Sequence, residues 1–423
     1  MRFIVSSIFL LICFASSTPV QSQKISDGSQ AFRRADYVAA AKLFRRHCDK
    51  GKMLDCANLS ILYRDGVGVT KDDKRAAELA FRSCQGGAAQ GCSQLGFLLE
   101  RGRGLPQDEA LASELFGISC DSGHAYACNG LAVLFAKGKG VAQDQTRAVQ
   151  LYRQSCNGGY ARGCSNLGVL YMDGRVVLKD YPQALKLQRQ ACDSRDAQGC
   201  NILGALYEKG WGVAKDDARA AELYRQACED NEPAGCNNLG VLYEKGSGVL
   251  KDEVRAAEWY QRACDGTNAA SCNNLGVLYE NGRGVAKDEV RAAKLYRQAC
   301  DGDDAIGCNN LGVLFENGRG VAKDEALAAQ FYRQACDDRH AVSCSNLGFL
   351  HAEGRGGGKT KTLLQTSNGR LAMLAIRRDA TTLACITKLL EEQPKTRRVQ
   401  AISFANHATP ATRLDAATWA TST

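Results

Sequence analysis

The sequence predicts an all-α protein, an α/α solenoid of tandem 36-residue helix–turn–helix units with one disulfide per unit. Three regularities lead there. Cysteines recur every 36 residues at Cys48, Cys84, Cys120, Cys156, Cys192, Cys228, Cys264, Cys300 and Cys336. Each has a second cysteine eight positions on, at Cys56, Cys92, Cys128, Cys164, Cys200, Cys236, Cys272, Cys308 and Cys344, which accounts for 18 of the 20. Aspartates keep the same step at Asp36, Asp72, Asp108, Asp144, Asp180, Asp216, Asp252, Asp288 and Asp324. The residue four past each second cysteine is always small: Ser60, Gly96, Ala132, Gly168, Gly204, Gly240, Gly276, Gly312 and Gly348. A period this strict marks units that cannot bury an apolar face alone and stack to share one core.

The elements follow in order. Met1 and Arg2 precede an apolar run over 3–14 and then small polar residues, the form of a secretory leader over 1–22. The run is short for a bilayer span. The expected mature chain is therefore secreted or periplasmic, with no membrane segment of its own. Residues 23–35 form an N-terminal capping segment, and 36–356 hold nine units.

One unit shows the local logic. Cys236, Leu239, Leu242 and Tyr243 have helical spacing, and Gly246 is placed to stop that helix. Gly248 and Val249 turn the chain. Asp252 then caps a second helix, expected over 253–264, whose Ala256, Ala257, Tyr260 and Ala263 share a face. A bend at 265–268 leads on. Glycine inside a helix costs about 1 kcal/mol against alanine, so the recurring small residue predicts that another helix, the alanine-rich one, passes too near for a side chain.

The cysteines read as scaffold. Zinc sites favour two to four residues between paired thiolates and redox pairs use two. Seven intervene here, carrying the chain from one helix end round a bend into the first turn of the next, where two sulfurs can meet. Each disulfide joins one unit to its neighbour. No metal or cofactor is expected.

The unit resembles the Sel1-like repeat, a relative of the tetratricopeptide repeat, with the pattern LGxxYxxGxGVxxDxxxAxxxYxxAC. Leu275, Gly276, Tyr279, Gly282, Gly284, Val285, Asp288, Ala292, Tyr296, Ala299 and Cys300 match it. Leu99 and Phe135 replace the tyrosine in early units, and Val176 replaces the second turn glycine. With a cysteine pair per unit, residues 36–356 look like the secreted Helicobacter cysteine-rich proteins. The resemblance implies a right-handed, tetratricopeptide-like solenoid that binds a peptide, protein or peptidoglycan-type ligand on its concave face. Some members of that subfamily carry penicillin-binding or β-lactamase assignments, so it also implies an alternative, a weak β-lactamase acting on β-lactams.

The residues offer that alternative no machinery. No serine stands three before a lysine, as S-x-x-K requires. The histidines, His47, His124, His340, His351 and His407, are dispersed; His340 and His351 can approach, but two ligands are too few. Gly354 to Thr360 imitates a phosphate loop without its first glycine. No catalytic residue is assigned. Nor is a nucleic-acid partner: net charge is +8, but 357–423 hold ten Lys/Arg against four Asp/Glu, leaving the repeats almost neutral.

A binding surface has better support. The second residue after each second cysteine is Asn58, Gln94, Gly130, Asn166, Ile202, Asn238, Asn274, Asn310 and Asn346. Repeats place equivalent side chains in a row, so Asn166, Asn238, Asn274, Asn310 and Asn346 are the candidate binding residues, amides able to grip an extended backbone. In the other reading, each Asn ties down its own interhelical bend. Both stay open at this point.

After Gly356 the period vanishes. A one-base shift of reading frame restores it: Lys359 and Thr360 then permit aspartate at 360. Asp379 to Ala384 permit Cys-Asn-Asn-Leu-Gly at 380–384, and His407–Ala408 and Asp415–Ala416 permit cysteines at 408 and 416. Residues 357–423 are therefore expected to be frameshifted repeat sequence. Read as written, they leave a helix over 344–354 without a partner, with Leu347 and Leu350 exposed and Cys385 unpaired.

Overall fold

The computed structural model describes residues 26–356. The expected leader, 1–22, and the expected frameshifted tail, 357–423 with Cys385, lie outside them. The described residues form nineteen helices and no strand. The chain divides into two compact units.

The first unit, up to Asp230, holds α1 (Asp27–Arg33), α2 (Tyr37–Asp49), α3 (Met53–Asp65), α4 (Asp73–Gln85), α5 (Ala89–Arg101), α6 (Glu109–Asp121), α7 (Ala125–Lys137), α8 (Gln145–Asn157), α9 (Ala161–Asp173), α10 (Tyr181–Asp193), α11 (Ala197–Lys209) and α12 (Asp217–Glu229). The expected capping segment contains α1, whose Gly28 lies under the Phe44 ring so closely that a Cβ would come within 2.5 Å of it. The second unit holds α13 (Pro233–Lys245), α14 (Glu253–Asp265), α15 (Ala269–Asn281), α16 (Glu289–Asp301), α17 (Ala305–Asn317), α18 (Glu325–Asp337) and α19 (Ala341–Ala352). The expected α/α repeat architecture is present in both.

Every recurring aspartate caps a helix. Asp36, Asp72, Asp108, Asp144, Asp180, Asp216, Asp252, Asp288 and Asp324 each accept from a backbone N–H of the following first turn, at 2.8–3.1 Å. A carboxylate there satisfies an orphan donor and faces the positive end of the helix dipole. The first helix of each hairpin starts about a turn before its cysteine, so α13 opens at Pro233 and not at Cys236. It ends at a left-handed glycine, Gly246 at φ 73°, where a side chain would be strained.

Eight cysteine pairs, from Cys48–Cys56 to Cys336–Cys344, are bonded with Cα atoms 4.5–4.8 Å apart. Cys228 and Cys236 are disulfide-bonded as well. Each of the eight ties the end of one hairpin's second helix to the first turn of the next hairpin.

The reason for the small residues can be made more specific. The alanine-rich helix does pass close, and what meets the glycine first is one of its side chains, most often a ring, ahead of its backbone. A Cβ on Gly204 would stand 2.7 Å from the Tyr224 ring, and Gly240, Gly276 and Gly312 meet Tyr260, Tyr296 and Tyr332 in the same way; the Ala220 carbonyl oxygen of α12 is farther from Gly204, at 3.3 Å. Gly168 meets the Gln188 amide at 2.6 Å, and Gly96 the Phe116 ring at 3.1 Å. Gly348, at the last such position, has nothing within 4 Å.

The last helix brings a correction. Leu347 and Leu350 are fully buried among Ala328, Ala329 and Tyr332, because they face back onto α18. Phe349 and Val342 are the large apolar residues that α19 leaves exposed.

Candidate ligand-binding face

The first helix of each hairpin has one face that its own hairpin does not cover. Positions two before, two after and five after its cysteine lie on that face, at the i, i+4, i+7 spacing of a helix stripe. In the second unit the stripe carries Asn238, Asn274, Asn310 and Asn346, all half-buried, beside half-buried Val241, Val277 and Val313 and exposed Ile306, Val342 and Phe349.

The amides do form a row, with a pairing that neither sequence reading anticipated. Asn274 Nδ2 donates to Asn237 Oδ1 of the preceding hairpin at 3.1 Å. Asn310 does so to Asn273 at 2.9 Å, and Asn346 to Asn309 at 3.1 Å. In the first unit Asn166 donates to Asn129 at 2.8 Å. Within a hairpin, Asn237 and Asn309 each place an amide 3.4 Å from the next residue, Asn238 or Asn310. The row is therefore two asparagines wide, and it joins hairpin to hairpin instead of tying each bend to itself. The sequence signal for the missed partners was the doubled Asn-Asn at 237–238, 273–274 and 309–310. An amide has two N–H groups and two acceptor lone pairs, so one bond to a neighbour leaves capacity for a ligand.

The row breaks at Gly130 and Ile202 in the first unit. A Cβ on Gly130 would stand 3.0 Å from the Phe116 ring. Cations and rings take over the stripe there. Arg64 donates to Gln94 at 2.7 Å, and the Arg64 and Arg101 guanidinium groups stand 4.8 and 4.9 Å from the Phe97 ring centre. Tyr126 meets Tyr160 edge-on at 5.5 Å, and burial pushes the Tyr126 phenol far above its ordinary value.

His340 holds a structural post. His340 and His351 sit at opposite ends of α19 and do not approach, since twelve helical residues span about 18 Å. His340 Nδ1 lies 2.7 Å from Ser343 Oγ, which donates to Asn309 Oδ1 at 2.9 Å. Ser343 is fully buried with its proton committed to an amide, so this serine–histidine contact is no nucleophile.

The repeated pattern is recognised as the Sel1 repeat, matched over residues 55–87, 89–124, 125–160, 161–196, 197–232, 233–268, 269–304 and 305–340. No curated protein matches the sequence. Among solved structures, the fold resembles c5321, a protective antigen of uropathogenic Escherichia coli. That match has a TM-score of 0.56 and 24% identity, covering 89% of this chain and 82% of that one. A Sel1 repeat protein from Oxalobacter formigenes gives a TM-score of 0.51 and 24% identity over 58% of this chain and 96% of its own. Helicobacter pylori cysteine-rich protein B is 33% identical over 31% of this chain and 96% of its own, with a TM-score of 0.27. On eight matched repeats filling most of the described residues, the chain belongs to the Sel1 repeat family.

Proposed function

We propose that the protein is a non-catalytic interaction scaffold acting outside the cytoplasm, which holds an extended peptide, free or as part of a protein or the cell wall, along the first-helix stripe. The observation that carries this reading is the amide row of the second unit. Its side chains are fixed by bonds from hairpin to hairpin, half-exposed, and flanked by apolar Val277, Val313 and Phe349. Fixed amides cost little entropy on binding and read a peptide backbone without demanding a sequence. Tandem helical repeats are interaction modules as a class. The many disulfides support an oxidising compartment, where such bonds persist.

The test uses oxidised full-length protein and peptides selected from a random display library. Asn274→Ala with Asn310→Ala is expected to weaken the selected peptides about tenfold while the helical signal stays unchanged. Selected peptides that bind the double variant as well as the parent would sink the reading. Saturable nitrocefin hydrolysis by the same preparation would replace it with the β-lactamase alternative, which no residue described above favours.

A further inference from the structure

In the amide row of the second unit the inner asparagines act as braces. Asn237 Oδ1 accepts from Ser271 Oγ at 2.9 Å and from Asn274 Nδ2 at 3.1 Å. Asn309 Oδ1 accepts from Ser343 Oγ at 2.9 Å and from Asn346 Nδ2 at 3.1 Å. An amide oxygen has two lone pairs, so these two inner oxygens are saturated. Asn274, Asn310 and Asn346 each spend one N–H on the brace. An amide nitrogen carries two. Each outer asparagine therefore keeps one uncommitted N–H on a half-buried side chain.

The same bonds set the pitch of these donors. Asn310 Oδ1 lies 3.4 Å from Asn309 Nδ2, and Asn309 Oδ1 lies 3.1 Å from Asn346 Nδ2. The oxygen and nitrogen of one amide are about 2.2 Å apart, so Asn310 Oδ1 and Asn346 Nδ2 are separated by no more than about 9 Å. Helices packed side by side hold their axes about 8–10 Å apart. A β-strand turns backbone groups to one side every second residue, about 6.7 Å, which is too short a step. Three residues of polyproline II rise about 9.3 Å and complete one turn, so equivalent carbonyls recur in step with the amides. The bed between the amides is apolar. Positions two before and five after the first-helix cysteines of this unit hold only alanine, valine, isoleucine and phenylalanine. Ile306, Val342 and Phe349 among them are exposed.

We propose that the stripe of the second unit is a receptor for a proline-rich segment of a partner polypeptide, held as a polyproline II helix. This rests on the peptide-binding role proposed for the stripe and narrows its ligand class. The uncommitted N–H groups of Asn274, Asn310 and Asn346 donate to the carbonyl of every third residue. Pyrrolidine rings and apolar side chains lie on Ile306, Val342 and Phe349. Proline suits such a bed because it has no N–H of its own to leave unpaired against apolar side chains. A segment already in polyproline II form also loses little conformational freedom on binding. A charged segment finds no counter-charge at these positions, since none of them is ionisable.

The experiment is calorimetric titration of full-length oxidised protein with three capped dodecapeptides. Four repeats of Pro-Pro-Leu are expected to bind saturably. Four repeats of Ser-Gly-Leu keep the leucines without the polyproline II shape, and should bind at least about tenfold more weakly. The proline-rich peptide with aspartate in place of leucine should lose as much. Asn310→Ala with Asn346→Ala should weaken the proline-rich peptide at least about tenfold, and so should Ile306→Asp, a change at an exposed side chain. The helical signal should stay unchanged in both variants. Equal binding of the Ser-Gly-Leu peptide, full binding by Ile306→Asp, or no saturable binding of the proline-rich peptide would overturn the proposal. Library-selected peptides that need Asn274 and Asn310 but lack proline would also overturn it, and would leave the broader stripe reading standing. Selected peptides indifferent to Asn274→Ala with Asn310→Ala would bring down both.

Discussion

At the scale of the residue, the repeat is decided by pairs. Gly276 and Tyr296 are one such pair, since the ring lies where a Cβ would be. Tyr296 is fully buried, with its hydroxyl on Glu280 at 2.5 Å, and burial followed by that acceptor pushes its phenol far up. Gly276→Ala is therefore expected to destabilise the protein by about 1–3 kcal/mol through overpacking. Gly348→Ala meets open space, so the helix-propensity gain of up to about 1 kcal/mol should appear unopposed. Urea unfolding of both variants checks the contrast. Equal signs would mean that the ring does not set the rule.

At the scale of the element, the helix starts carry the pH dependence. His124 and His340 occupy the N-cap positions of α7 and α19, and burial lowers both imidazoles below their ordinary 6.5, with Asp304 opposing this in part at His340. The folded chain thus prefers them neutral, while the unfolded chain takes up protons near 6.5. Stability from these groups is fully present above that value and is lost as the pH falls below it. Melting temperatures from pH 7.5 to 5 should decline. His340→Gln should flatten the decline, because an amide keeps a donor toward Ser343 without titrating. A slope unchanged in that variant would assign it elsewhere.

At the scale of the whole molecule, stability is a sum over joints. Each repeat packs mainly on its neighbours, and each disulfide closes a loop of eight residues, worth about 2–3 kcal/mol in the chain-entropy account. Cys264→Ala with Cys272→Ala should lower stability by about that amount. Full reduction by a phosphine should cost many times more, lowering the thermal midpoint steeply. A midpoint that barely moves on reduction would show that packing alone carries the array.

The period, the caps and the cysteine partners were legible in the amino-acid sequence, because each depends on contacts only a few residues away. Asp252 needs only the N–H groups of its own helix, and Cys264 finds Cys272 across one short bend. The hairpin-to-hairpin links made by hydrogen bonds and ion pairs were not legible. Asn310 bonds Asn273, 37 residues back, and Arg319 bonds Glu280, 39 residues back. Such distances become neighbours only when one hairpin has stacked on the next. The crowding at Gly204 could be inferred from the recurrence of small residues, but that a tyrosine ring causes it could not, since side-chain reach is set by packing. Local covalent spacing thus wrote the hairpins, and stacking alone decided which surfaces they were left to offer.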